Sequence, residues 1–568
     1  MADLAILAAL LAVGSGLWWL HARAWGLGGR SPVLNYDTAQ YALAARELAG
    51  HGRLATDFAL PIELVRHAAP PWPLAVVQPG LVLAEALLFR LAPAARGGLP
   101  GAGATAPAPA PDGREGLTVV LPFVCYLLLG VTLALIGARV IATHAPEVGR
   151  TRLRLAALTI GLVPLLDPEA QHFAVGGFTE LPFTLGLALA CAALLAERGA
   201  GRRPLLFGLL LGVTGSFRAS GLWLAPLLAL AAATLSPGRR VRVVTLAMLG
   251  YAIVLSPWWF YKWRAFGTAG WDLSSLIVWE GIQGRTWFSL FHLPEMPVLP
   301  HGMDVVPLLL SKLGHRLPGL VLALATGPRA LWAGSLVLWL IAARPPRALA
   351  VVAVTLLMAN LLGLLAAAAT IPWIRFLFPT RVLLEGAGIM ALWSLIFRAP
   401  PALIGPRLVA ALAVAIAALA IGWGVNQTLL GCQEAATTSR ERAVPTDATL
   451  REIASRLREQ LPTREPVMSN LGPTLAWNAA RPVIHLAQTP ADIAACRRRL
   501  EFRHVLIAFR DAGSAWPGWQ DLLDRPGEAT RHPEWNVAHE RHWQEPDGFR
   551  VVWLEMGPLE ANLAATAR

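Results

Sequence analysis

The chain has 568 residues, of which 55% are hydrophobic and 15% charged, with a mean hydropathy of +0.52. Ordinary soluble domains carry about a quarter charged residues, so this composition excludes a water-soluble enzyme and indicates an integral membrane protein. The net charge of +12 does not indicate nucleic acid, because the basic residues are scattered among short loops between apolar segments instead of lining one face.

The first apolar segment, residues 4–20, has neither a basic leader nor a small-residue cleavage site, and reads as a retained anchor. A polar first loop follows at 23–116, carrying Asp37, Glu47, Asp57, Glu63 and His67. Within it, residues 73–91 are apolar but interrupted by Gln78-Pro79-Gly80, Glu85 and Arg90, which predicts a helix lying along the membrane interface. Residues 93–116, rich in Ala-Pro and Gly-Ala pairs, read as a flexible linker.

Apolar runs that can cross a hydrocarbon core of roughly 30 Å recur at 117–141, 153–166, 178–196, 243–260, 317–341, 349–369, 376–397 and 408–423. The run 205–235 is too long for one upright pass and short for two; Gly215-Ser216-Phe217-Arg218-Ala219-Ser220-Gly221 breaks it into a tight hairpin. Arginine clusters at Arg150, Arg152 and Arg154, at Arg198, Arg202 and Arg203, at Arg239, Arg240 and Arg242, at Arg344 and Arg347, and at Arg398 and Arg407 belong on the cytoplasmic side. The resulting parity predicts about eleven passes with the N-terminus inside. The first loop, residues 167–179, 262–316 and 370–375, and everything after 426 then lie outside.

The tail gains charge and loses long apolar runs, so residues 1–426 read as a membrane domain and 427–568 as a small soluble α/β domain. Helical pattern covers 449–460 and 489–500, and strand pattern covers 504–509 and 549–555. Of four cysteines, Cys125 and Cys191 lie in apolar helices; a disulfide between Cys432 and Cys496 is left open.

No phosphate-binding glycine loop is present, so neither ATP nor a dinucleotide is supported. The polar chemistry gathers instead on the outer face. Asp37 is either the N-cap of a helix from Thr38 or a reactive acid, while Glu180 opens an apolar span, where a carboxylate is costly and usually functional. Arg218 and Arg375 interrupt apolar sequence near short outer turns, as phosphate ligands or snorkelling side chains. Lys262 and Arg264 follow Trp258-Trp259-Phe260-Tyr261, where an interfacial anchor is an equal reading. Asp167-Pro168-Glu169 with His172 offers oxygen ligands for a divalent cation, against the plainer reading of a solvated loop. His532, His539 and His542 in the tail read as polar surface in preference to a zinc site.

The order of several segments resembles a known group. These are Tyr36-Asp37-Thr38-Ala39-Gln40-Tyr41-Ala42-Leu43-Ala44-Ala45 after the first helix, Pro70-Pro71-Trp72-Pro73-Leu74 before the interface helix, and Gly177-Phe178-Thr179-Glu180-Leu181-Pro182-Phe183. The stretch 212–226 with Arg218, then Leu255-Ser256-Pro257-Trp258-Trp259-Phe260-Tyr261-Lys262, and Arg375-Phe376-Leu377-Phe378-Pro379 complete the series. No single piece is specific, but over nearly the whole membrane part their order resembles the GT-C superfamily of polytopic glycosyltransferases, in the branch of protein O-mannosyltransferases and lipid A aminoarabinose transferases.

The resemblance implies a hexosyl- or pentosyltransferase of the bacterial inner membrane. It would move a sugar from a polyprenyl-phosphate donor to an extracytoplasmic acceptor: protein, lipid or envelope glycan. An acid of the first outer loop would serve as base, the position of Asp37. Glu180 and Glu169 would shape the site, and Arg218, Arg375, Lys262 and Arg264 would hold phosphate, with His67 as a further substrate contact. The family often has Asp-Glu where this chain has Asp37-Thr38, so the adjacent carboxylate is missing and use of a divalent cation is left open. A transporter or flippase for a lipid-linked glycan, and a scaffold whose tail binds an envelope partner, are the alternatives.

Overall fold

Backbone amides in hydrocarbon have no water to bond, so chain that crosses a membrane must satisfy them within helices or a closed barrel; helices dominate the computed structural model of this protein. The structure describes residues 2–92, 113–196, 200–270, 273–281, 285–299, 304–325, 328–398, 405–441, 445–461, 464–510, 519, 522, 525–532 and 535–558. The linker expected at 93–116 therefore lies mostly outside the described residues.

Helix α1 (Ala2–Trp25) leads into the first loop. That loop holds α2 (Tyr36–His51), the two-residue strands β1 (Ala55–Thr56), β2 (Phe58–Ala59) and β3 (Trp72–Pro73), and α3 (Pro79–Leu91). As expected for the interface segment, α3 packs along α2, and Arg90 donates to Leu48 O and Ala49 O. Then follow α4 (Val120–His144), α5 (Arg150–Leu165), and a short α6 (Pro168–Gly176) bent by 120° from α7 (Glu180–Leu195). The run 205–235 forms the expected hairpin, α8 (Pro204–Gly215) and α9 (Gly221–Thr234), followed by α10 (Arg240–Phe266). After α11 (Trp287–Phe291), the last membrane stretch comprises α12 (Val305–Leu324), α13 (Pro328–Ala342), α14 (Arg347–Ala369), α15 (Phe378–Arg398) and α16 (Pro406–Glu441).

Among the described residues, seven helices are long and apolar enough to span, or eight if the bent pair α6–α7 counts as one. The other expected passes fall on helices of 12 to 16 residues, α5, α8 and α9. One expected pass is drawn differently. Residues 317–341 are divided between α12 and α13, and α12 starts at Val305, inside the segment read as outer loop. Lys312 and Arg316 ended the apolar pattern in sequence, but their side chains donate to the carbonyls of Ala369 and Thr370 at the end of α14, so the helix tolerates them. One contiguous apolar core, including Leu129, Leu165, Phe183, Leu211, Leu228, Phe378 and Trp393, joins these helices.

The C-terminal part contains α17 (Asp447–Gln460), β4 (Val467–Ser469), α18 (Gly472–Ala479), β5 (Val483–His485), α19 (Asp492–Arg499), β6 (His504–Phe509), β7 (Val537–Gln544) and β8 (Arg550–Met556). Its six-stranded sheet has the order β2-β5-β4-β6-β8-β7, parallel from β2 to β6 and antiparallel beyond. The edge strand β2 comes from the first loop, Phe58 opposite Val483 and Ala59 opposite Ile484. Loop and tail also share a core of Leu43, Phe58, Leu60, Trp477, Val483 and Leu506. The expected division at 426/427 falls within α16, which continues unbroken to Glu441. The disulfide does not form: Cys432 is a free thiol in α16 and Cys496 is a free, fully buried thiol in the tail.

Because Phe58 is 2% exposed in that shared core, Phe58→Ala is expected to cost about 3 kcal/mol. Limited proteolysis should then cut both the first loop and the tail faster than in the wild-type protein.

Candidate functional site

The start of α2 decides what Asp37 is free to do. Asn35 is the N-cap: its Oδ1 accepts from Thr38 N at 3.0 Å, and its Nδ2 donates to Gly176 O at 3.0 Å. The capping role considered for Asp37 thus belongs to Asn35, two residues earlier. Asp37 stands in the first turn, where the positive helix end favours a carboxylate, with 38% of its side chain exposed.

Thr38 Oγ1 also donates to Gly176 O, which ties α2 to the bend between α6 and α7. The bend needs glycine: Gly177 ends α6 at φ +70°, and a Cβ there would lie 2.9 Å from Thr38 Cγ2. Turning the chain at this point delivers Glu180 to the first residue of α7, fully buried.

A buried carboxylate demands a cation, and two arrive from distant segments. Arg218, at the tip of the α8–α9 hairpin, places Nη1 2.6 Å from Glu180 Oε1. Arg375, on the turn between α14 and α15, donates Nε to the same oxygen and Nη1 to Asp37 Oδ2 at 2.9 Å. Its guanidinium lies 4.5 Å from the Phe178 ring centroid. The hairpin tip is held by α3, because Gly80 N donates to Ser216 O at 2.8 Å, so close that a Cβ on Gly80 would lie 2.6 Å from Ser216 Oγ. The result is a chain of alternating charge, Asp37–Arg375–Glu180–Arg218, open to solvent at the Asp37 end.

The structure brings these four predicted residues together and sets the other four apart. Lys262 is buried on α10 over the Trp258 ring, and Arg264 is exposed near the end of that helix. His67 bonds through Nε2 to Ala265 O at 2.6 Å, which anchors the first loop to α10. Glu169 belongs to a second cluster, in which Arg381 Nη2 reaches Asp167 at 2.8 Å and Glu169 at 3.4 Å. The Asp167 segment is accordingly not a solvated loop: Asp167 is buried and caps α6 through Glu169 N and Ala170 N.

A divalent cation does not fit this donor set. The Thr38 hydroxyl is committed to Gly176 O, and the Asp37 and Glu180 carboxylates are held by guanidiniums. His172 packs against Trp25 and Phe178 instead of joining Asp167 and Glu169. Among the described residues no group of three or more His, Cys, Asp or Glu is arranged for a metal, which includes the tail histidines.

Two residues near the cluster escaped the sequence reading. Tyr41 stands one helical turn after Asp37 and shares a side-chain hydrogen bond with Thr179; burial and then Asp37 push its phenol above the ordinary range. His485, on β5, packs against Tyr36 at 5.4 Å between ring centroids and against His292 at 4.4 Å, so the tail reaches the residue beside Asp37. Burial holds His292 down to about 4, and burial followed by the neighbouring His292 holds His485 well below 6.5.

No protein-family model matches the sequence, and no curated protein matches it. The structure is similar to that of ArnT from Cupriavidus metallidurans, a lipid A aminoarabinose transferase of the GT-C superfamily. Against its apo state the TM-score is 0.53 at 13% identity, covering 98% of this chain and 100% of that one. Against the form bound to undecaprenyl phosphate the TM-score is 0.51 at 13% identity, covering 97% and 99%. The chain shares the fold of that protein.

Both histidines are neutral in the folded protein near neutral pH. Their folded values lie below the unfolded value of about 6.5, so the stability they contribute is complete above it and is lost as pH falls toward about 4. The apparent melting temperature should fall on going from about pH 7 to about pH 5, and His292→Gln should flatten that slope.

Proposed function

We propose that this protein transfers a sugar from a polyprenyl-phosphate donor to an acceptor hydroxyl on the outer face of the bacterial inner membrane. The observation that carries the reading is Arg375 bridging Asp37 and Glu180 where the helix bundle meets the first loop. The similarity of fold to a protein captured with undecaprenyl phosphate supports a lipid-phosphate donor.

Transfer breaks the bond between the sugar's anomeric carbon and the phosphate oxygen and forms one to the acceptor oxygen. As the oxocarbenium-like centre develops, Asp37 accepts the acceptor's proton. The departing phosphate gains charge, which Arg375 and Arg218 are placed to hold. Glu180 stays buried and positions both guanidiniums. In the resting arrangement Asp37 is paired with Arg375, so the donor phosphate frees the base by drawing the guanidinium to itself. The acceptor class extends to protein, lipid or envelope glycan.

Asp37→Asn keeps the shape and removes the base; transfer measured with a radiolabelled polyprenyl-phosphate sugar should fall by about 10²–10⁴-fold at normal membrane abundance. Unchanged transfer would refute the base assignment. Movement of intact donor across vesicles with no new glycosidic bond would establish the flippase alternative instead.

A further inference from the structure

A second surface lies at the far end of the hairpin from the Asp37 cluster. Helix α9 runs for 14 residues from the Arg218 tip, so at about 1.5 Å per residue its last residue, Thr234, stands roughly 20 Å from that tip. The chain turns there and returns along α10. Between Thr234 and Arg240 the two helices leave an open crevice of about 360 Å³, within the range of about 300–1,000 Å³ usual for ligand sites. Leu230, Val241 and Val244 supply apolar walls, and Arg240 supplies a charge.

The surroundings are apolar at one level and cationic at the next. Leu222, Leu230, Val241, Leu249 and Ile253 of the same two helices are 48–81% exposed, a band suited to hydrocarbon. Arg347, at the start of α14, donates Nη2 to Thr234 O at 2.5 Å, which brings a second guanidinium to the crevice. Arg239 and Arg242 adjoin Arg240 in sequence. Residues 198–271 and 305–384, which hold α8 to α10 and α12 to α14, contain no Asp or Glu. Among the described residues neither Arg240 nor Arg347 pairs with a carboxylate.

We propose that this crevice binds a glycerophospholipid with a net negative headgroup, its phosphate between Arg240 and Arg347 and an acyl chain along Leu230, Val241 and Val244. An anionic headgroup neutralises the arginines, whereas a zwitterionic one brings its own positive charge and leaves them uncompensated. Both guanidiniums are exposed, so a headgroup at the membrane surface meets them. The arginine rule assigns this end to the cytoplasmic leaflet, where anionic lipids attract basic segments. A phosphate held by both arginines links α10 to α14.

Native mass spectrometry of the delipidated full-length protein, titrated separately with phosphatidylglycerol, phosphatidylethanolamine, phosphatidylcholine or a polyprenyl phosphate, tests this. One phosphatidylglycerol should bind roughly 25-fold more tightly than either zwitterionic lipid, about fivefold for each arginine. Arg240→Gln should remove about fivefold of that preference, and Arg240→Gln with Arg347→Gln should abolish it. Thr245→Trp, which fills the crevice and touches no charge, should weaken binding of phosphatidylglycerol. Arg152→Gln removes the same charge from another arginine cluster and should leave the preference intact. Equal binding of the glycerophospholipids, an equal loss with Arg152→Gln, or full-strength binding in Thr245→Trp overturns the proposal. So does a polyprenyl phosphate whose affinity falls further with Arg240→Gln than that of phosphatidylglycerol. If Arg347→Gln fails to fold, as judged by its melting curve, the lipid series with Arg240→Gln and Thr245→Trp decides the matter.

Discussion

The arrangement depends on one buried carboxylate. Glu180 sits fully buried at the head of α7, and a carboxylate there is tolerable only if cations reach it. Arg218 and Arg375 do so from the hairpin tip and from the turn before α15, and Arg375 extends the link to Asp37 in the first loop. Four segments far apart in the chain are thereby drawn to one point. Removing either arginine leaves a carboxylate of this chain without its cation.

Thr38 shows how this chain departs from a paired-carboxylate site. Where a second acid would add negative charge beside Asp37, the hydroxyl instead locks α2 onto the α6–α7 bend through Gly176 O. Positive charge near Asp37 then comes from a guanidinium. A planar, permanently charged fork suits phosphate recognition, and its contact with the Phe178 ring fixes its direction.

The tail is part of the same arrangement. Strand β2 of the first loop completes its sheet, and β5 carries His485 against Tyr36. The neighbour of Asp37 is thus packed by a domain that begins some four hundred residues later. The first loop and the tail thus share one sheet and one apolar core.

Hydropathy and arginine placement determined the membrane class, the hairpin at 215–221 and the interface helix, because these are properties of local composition. Strand β6 was legible at 504–509 for the same reason, since six successive buried residues mark it. Strand β2, two residues long, and β5, three, are too short for any periodicity, and β7 is largely exposed and polar. The acids and arginines of the site were legible as costly residues in apolar surroundings. Which of them meet was not: Arg218 and Arg375 stood out from Lys262 and Arg264 because each interrupts apolar sequence, but nothing in the sequence paired them with Asp37 and Glu180 or set His67 and Glu169 apart. Only tertiary structure decided between them, because a buried charge selects its partner by three-dimensional proximity, and the turn at Gly177 that sets this proximity leaves no mark of pairing in the sequence.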